Sequence, residues 1–368
     1  MEPASLPNNR LISLDVFRGI TMFLLIAEAA LVYHAFTDFF ETDTFGAAIF
    51  KQFHHHPWNG LRFWDLIQPF FMFIVGVAMP FSLKKRMAAG ATWGQSFRHI
   101  LSRCGILFLL GTGLHVVYSG KLVWELWNVL TQLSFTVLVT FLLMRYAIKW
   151  QLVASGIFLV LTEILYRAYD PASPFVMDQN FGSWMDMVLM GKLNDGGGWV
   201  TINCLPTAAH TIWGAVCGKL LLSQTGAQER IKTFVIAGVI GLVIGYGLDL
   251  LQITPIVKRI ATTSFVFASG GWCLLTLAFL YWLVDVKKVQ KWTTFFIIVG
   301  MNPIFIYLFA ETIGHRWLVD NVRAFNNGFL GMLGIPESVM AITNSFLVLA
   351  IFWYMCYFLY KKKIFIKI

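Results

Sequence analysis

A polytopic transmembrane bundle of α-helices is the fold class this sequence predicts, on three observations. Hydrophobic residues make up 58% of the 368 and charged residues 13%, with a mean hydropathy of +0.69, far from the soluble average. Apolar runs recur at lengths of about 20 residues, enough for helices to cross a hydrocarbon core of roughly 30 Å. The short alternating segments of a transmembrane β-barrel do not occur.

Taken in order, the runs predict ten helices, near 12–34, 64–83, 100–119, 127–146, 150–168, 199–222, 232–254, 262–284, 292–312 and 339–360. The first carries Asp15, Arg18 and Glu28 and no small-residue cleavage site follows it, so it reads as a retained helix and not a signal peptide. Basic residues collect in alternate connections: Arg10; Lys84, Lys85, Arg86 and Arg98; Arg145 and Lys149; Arg230 and Lys232; Lys287, Lys288 and Lys291; and Lys361, Lys362, Lys363 and Lys367. By the positive-inside rule both termini are cytoplasmic, and the connections 35–63, 169–198 and 313–338 face outward. The net charge of +9 is therefore mostly a topology signal, and no basic cluster calls for nucleic acid. The five cysteines, Cys104, Cys204, Cys217, Cys273 and Cys356, all fall within expected spans without metal-type spacing, as small core residues do. With no low-complexity linker, residues 1–368 read as one integral membrane domain.

Titratable groups at depth are the informative exceptions, because an ionisable side chain inside a bilayer needs pairing or hydration. Asp15 and Arg18 lie three residues apart on one helix face and can pair. Glu28 has no local partner and is expected to face a polar cavity or a basic group of another helix. His34, His54, His55, His56, His115 and His315 fall at the outer helix ends, where an imidazole either sits among interfacial aromatics or moves protons near neutral pH. Asp65 opens the second helix ten residues after His55 and either orients its ring or caps the helix. The Trp58-Asn59-Gly60 turn offers an aromatic face and an amide suited to a sugar. The Gly300-Met301-Asn302-Pro303 string predicts a broken helix, since proline frees a carbonyl in mid-helix.

Three strings carry a resemblance: Arg10-Leu11-Ile12-Ser13-Leu14-Asp15-Val16-Phe17-Arg18-Gly19, then His55-x-x-Trp58-Asn59-Gly60, then Asp65-Leu66-Ile67-Gln68-Pro69-Phe70-Phe71-Met72-Phe73-Ile74-Val75-Gly76. In order and spacing they closely resemble the heparan-α-glucosaminide N-acetyltransferase family. The similarity runs on through Pro206-Thr207-Ala208-Ala209-His210-Thr211-Ile212-Trp213-Gly214 and Gly300-Met301-Asn302-Pro303-Ile304-Phe305-Ile306-Tyr307. The chain looks like the shorter bacterial branch, without the extra N-terminal portion of the lysosomal enzyme. The resemblance implies an inner-membrane acetyltransferase, working as a homodimer, that takes acetyl-CoA and acetylates the amine of a terminal glucosamine with no metal. It also implies that His55 is the functional histidine. The family's asparagine late in the first helix falls on Ala29, where the match fails, and Glu28 one residue earlier resembles a glutamate of the bacterial branch.

The chemistry has a reading of its own. An amine attacking a thioester must lose a proton, which a neutral imidazole can take, or the imidazole can carry the acetyl group first. His55, Asp65 and Glu28 are thus the candidate catalytic residues, and Trp58, Asn59, His210 and Asn302 the candidates for holding the amino sugar. For the anionic donor, Arg18 and Arg103 suit the phosphates, although Arg103 at a helix start also fits snorkelling to lipid headgroups. Asn128, Gln132 and Thr211 either line the donor's path or link helices. Two other classes bear on the same residues. A transporter of a sugar or cell-wall fragment would use Glu28, Arg18 and His210 for proton coupling, and a metal site would need His54, His55 and His56, adjacent residues that seldom converge on one ion.

Overall fold

The computed structural model describes residues 11–366, so Arg10 and Lys367 lie outside the described residues. Those residues fold almost wholly as helices; the one β-bridge pairs Asn59 with Val257. The chain runs through α1 (Ile12–Ala29), α2 (Val32–Phe39), α3 (Phe45–Lys51), α4 (Ile67–Ala88), α5 (Trp93–Ser119), α6 (Val129–Leu143), α7 (Ile148–Tyr169) and α8 (Phe181–Met190). It continues through α9 (Cys204–Leu222), α10 (Ala227–Leu250), α11 (Thr263–Leu280), α12 (Thr293–Gly300), α13 (Pro303–Phe309), α14 (Val319–Met332) and α15 (Glu337–Lys361).

Six helical segments are long and apolar enough to cross a membrane, and eight if each of two bent pairs counts once. The ten expected spans divide accordingly. The span at 12–34 bends by 59° between α1 and α2, and that at 292–312 bends by 73° at the Asn302-Pro303 break. Leu31 makes the first bend in a left-handed conformation, and Pro303 restarts the helix at its first position, where a missing N–H leaves nothing unpaired. The 127–146 span shrinks to the 15 residues of α6. The 199–222 span becomes α9, which is not among the six. Its polar run is tolerated because other helices, not lipid, surround it: His210, Thr211 and Thr207 are buried.

Inner and outer helices separate by what they bury. The apolar windows of Phe63–Ala88 and Thr263–Val286 are 61% buried, whereas those of α5, α7 and α10 are 22% buried, the pattern of lipid-facing helices. At the centre α4 crosses α9 backbone to backbone. A Cβ on Gly76 would strike the Thr211 carbonyl, and one on Gly214 the Phe73 carbonyl. Small residues at such crossings let two helices approach closely without a hydrophobic driving force. The first two N–H groups of α1, from Ile12 and Ser13, are capped by the Asp285 carboxylate at 3.2 and 3.1 Å.

Asp15 and Arg18 pair at 3.5 Å as their spacing predicts. All five cysteines are free thiols, four of them buried.

Candidate active site

The three consecutive histidines point to three different places. His54 Nε2 meets the Thr37 hydroxyl at 2.8 Å on α2, and the His56 ring packs against Gly60. His55 turns to Asp65, its Nδ1 lying 3.0 Å from Oδ1. Among the described residues no three His, Cys, Asp or Glu side chains gather as metal ligands.

Asp65 does both things the sequence left open. Its Oδ2 accepts the Arg62 N–H at 3.0 Å, closing the start of the helical turn before α4, and the His56 N–H at 3.2 Å. Oδ1 is left for His55. The Arg62 guanidinium donates back to the His55 carbonyl at 2.9 Å, so the loop that carries the imidazole is tied at both ends. The Gly60 N–H donates to the Ile256 carbonyl at 2.8 Å, and Gly60 has φ +141°, where a side chain would be strained and would collide with His56.

That tie to residues 256–257 delivers a group the sequence gave no sign of. Lys258 is 6% exposed, and its Nζ lies 3.1 Å from His55 Nδ1 and 3.4 Å from Asp65 Oδ1. An ammonium and an N–H cannot both donate to each other, so Nδ1–H donates to the carboxylate while Lys258 neutralises that carboxylate from the side. This tautomer leaves the lone pair on His55 Nε2. The imidazole is 40% exposed and lines a cavity. Enclosure there lowers its pKa to about 4, with the Lys258 charge adding to the effect and the Asp65 hydrogen bond opposing it. His55 is therefore an uncharged base at neutral pH. Burial likewise pushes Lys258 down to about 8, against the pull of Asp65.

The cavity, about 430 Å3, is lined by Glu28, Gln132, Asn128 and Trp199 as well as His55 and Lys258. Glu28 faces a polar cavity as expected, with Glu311 of the helical turn after α13 on the same wall. Trp199 stands with its ring 5.7 Å from the imidazole. Trp58, the aromatic face the sequence offered for a sugar, does not line this cavity, and its indole donates to the Phe175 carbonyl at 3.0 Å. Asn59 is exposed and spends its backbone on the bridge to Val257.

A second cavity, about 570 Å3, lies toward the other end of α1. Arg18, Arg86, His99 and Arg103 line it. The Nε groups of Arg86 and Arg103 are buried without a hydrogen-bond partner, which suits them to an anion with several acceptor oxygens. Phe71 of α4 lines both cavities and stands between them. The structure thus gathers Arg18 and Arg103 in one chamber, and Asn128 and Gln132 with His55 in the other.

His210, Thr211 and Asn302 line neither chamber. His210 Nε2 bonds the Ser269 hydroxyl at 2.9 Å and links α9 to α11. The Thr211 hydroxyl is buried at the α4 crossing. Asn302 holds the C-terminal segment, donating to the Ile364 carbonyl at 3.0 Å and accepting the Ile366 N–H at 2.8 Å. Of the three, His210 makes a helix-linking hydrogen bond.

Residues that sequence reasoning passed over are Lys258, Arg86, Trp199 and Glu311. Glu311 had a signal, as it falls inside the 292–312 span and meets the same depth argument as Glu28.

Comparison with known proteins follows the same residues. The family model described as heparan-alpha-glucosaminide N-acetyltransferase, catalytic, matches residues 10–253. The human heparan-alpha-glucosaminide N-acetyltransferase is 24% identical over 428 aligned residues, covering 98% of this chain and 60% of its own length. The mouse protein of the same name is also 24% identical, over 98% of this chain and 61% of its own. The chain thus spans about three fifths of the length of the curated relatives it matches. Its membrane-length helices, its histidine motif and the match over most of its residues place it, by descent, in the heparan-alpha-glucosaminide N-acetyltransferase catalytic family.

Proposed function

We propose that this protein is an integral membrane acetyltransferase that moves the acetyl group of acetyl-CoA to the amine of a glucosamine-type sugar, with His55 at the reacting centre. The observation that carries this reading is the pair of chambers meeting at Phe71, one holding an uncharged imidazole on a carboxylate and the other lined by Arg18, Arg86 and Arg103, the last two with Nε groups that have no hydrogen-bond partner. The donor supplies an activated acetyl thioester. Arg18, Arg86 and Arg103 hold its phosphates, Asn128 and Gln132 flank the approach to His55, and Trp199 gives the sugar ring an apolar face. His55 Nε2 takes the amine proton, Asp65 fixes the ring and tautomer, and Lys258 keeps the ring from protonating.

The fold reading extends in the same way. The two bent pairs, α6 and α9 together with the six long helices make ten crossings, and the basic bias of the sequence orients both termini to the cytoplasm of a bacterial inner membrane. Residues 1–368 act as one domain, in a homodimer embedded in lipid.

The test is CoA release by detergent-purified protein given acetyl-CoA and glucosamine. Release that depends on the sugar supports the reading; labelled sugar that crosses a proteoliposome unchanged, without CoA release, would replace it with transport. Arg86→Ala and Arg103→Ala are each expected to raise the KM for acetyl-CoA about 10-fold or more, the worth of a charge-assisted hydrogen bond, with kcat little changed. Lys258→Met removes a positive neighbour, so the His55 pKa rises from about 4 and the acid limb of the pH–rate profile moves to higher pH. An unmoved limb would show that Lys258 does not set the state of His55.

A further inference from the structure

The chamber holds a second imidazole built like the first. His115, near the C-terminal end of α5, lines the same cavity as His55. Its Nδ1 lies 2.6 Å from Glu125 Oε2, and the other oxygen of Glu125 pairs with the Lys192 ammonium. A histidine, a carboxylate and a lysine thus meet here as they do at His55, Asp65 and Lys258, from unrelated segments of the chain, with the difference that Lys192 takes the carboxylate oxygen the imidazole leaves, whereas Lys258 shares one with it. Glu125 accepts the Nδ1 proton, so the lone pair is on Nε2, and that atom is buried with no hydrogen-bond partner. A buried imidazole nitrogen left unpaired is costly, and the other ring nitrogen shows that the surroundings can satisfy such a group.

We propose that His115 is a second catalytic base, the one that takes the first proton from the acceptor ammonium; this rests on the acetyltransferase reading above. The proton count leaves a role for a second acceptor, because one proton must leave the nitrogen before it can attack. A sugar amine arrives as an ammonium, and its nitrogen loses two protons in becoming an amide. The first passes to His115 Nε2 and frees the lone pair. The nitrogen then attacks the thioester carbon, the C–N bond forms and the C–S bond breaks. The second proton passes to His55 Nε2 and from there to the departing thiolate, giving the thiol. His115 returns its proton to solution, so one proton is released for each amide formed. The ionisable groups against the His115 ring are Glu125 and Lys192 from the connections and Tyr118 from its own helix. Tyr118 in turn donates to Glu311 at 2.7 Å.

The experiment compares two acceptors, glucosamine and methoxyamine, the second already unprotonated at neutral pH, with CoA release followed across pH. His115→Gln is expected to lose with glucosamine what the free fraction of the amine dictates, about 6-fold at pH 7 and about 50-fold at pH 6 for an amine of pKa near 7.7. It should regain most of that loss as the pH passes the amine's own pKa, and acetylate methoxyamine within a few-fold of wild type. His55→Ala should lose both acceptors at every pH. The role is overturned if His115→Gln handles glucosamine normally, or if it loses both acceptors in equal proportion throughout, as a purely structural residue would. Should His115→Gln fail to fold, Glu125→Gln, which weakens the hold on Nδ1, must give the same acceptor-dependent pattern in milder form, and a uniform loss there overturns the role equally. A wild-type protein that acetylates neither amine would remove the acetyltransferase reading itself.

Discussion

Replacing His55 with alanine is expected to lower sugar-dependent CoA release by about 1,000-fold, within the range lost with a general base, while His54→Ala stays within a few-fold of wild type. The contrast between neighbours is the point of the measurement. His55 alone of the three faces the chamber with a free Nε2 and a carboxylate behind it, whereas His54 is spent on Thr37 and the His34 ring. Its loss loosens α2 without touching the cavity wall. Equal losses from both variants would mean that the loop, and not one imidazole, is what the reaction needs.

Asp65→Asn is expected to cost activity about 100-fold to 10,000-fold, and stability as well. The carboxylate is 1% exposed and accepts from His55, His56 and Arg62 while neutralising Lys258. An amide keeps one acceptor oxygen and aims its two N–H groups at groups that are themselves donors. It forces either a backbone N–H or His55 Nδ1 to face a donor, and in the second case the proton moves to Nε2, the wrong nitrogen for a base. Removing one member of a buried ion pair costs about 3–5 kcal/mol. The sign with pH follows from Lys258. Its pKa, about 8 with Asp65 present, falls further without it, so the lysine folds neutral but unfolds charged. Raising the pH then favours the folded form, and the deficit in melting temperature should be larger at pH 6 than at pH 9. A deficit independent of pH would show that Lys258 does not depend on Asp65.

What could be read in advance was what is local. His55 and Asp65 are ten residues apart, and the turn between them is short enough for spacing alone to suggest their contact. Asp15 with Arg18, and the break at Pro303, are local for the same reason. Lys258 meets the pair from 203 residues away, through a bridge between two loops that hydropathy cannot register, and in the sequence it is merely one basic residue on the outward side. His115 was open to two readings, interfacial or functional, because its carboxylate lies in a connection whose path no periodicity fixes. The polar run of α9 misled in the opposite direction. Polar side chains at depth suggest a cavity, but His210 and Thr211 are enclosed by neighbouring helices, and only the packing tells the two apart. The expected crossings looked uniform because a bent pair, or a 15-residue helix such as α6, has the same composition as a straight span.

The presence of Phe71 in the walls of both chambers has an electrical consequence. In a bilayer each chamber would carry solvent and counter-ions inward from its own side, so most of a transmembrane voltage would fall across the thickness of that partition. Moving one elementary charge through such a drop is worth roughly 2.3 kcal/mol per 100 mV, whereas an acetyl group, being neutral, feels none of it. The aromatic partition would thus act as an insulator that passes acyl groups and holds back protons and coenzyme phosphates. A smaller residue at that position would open the partition to protons.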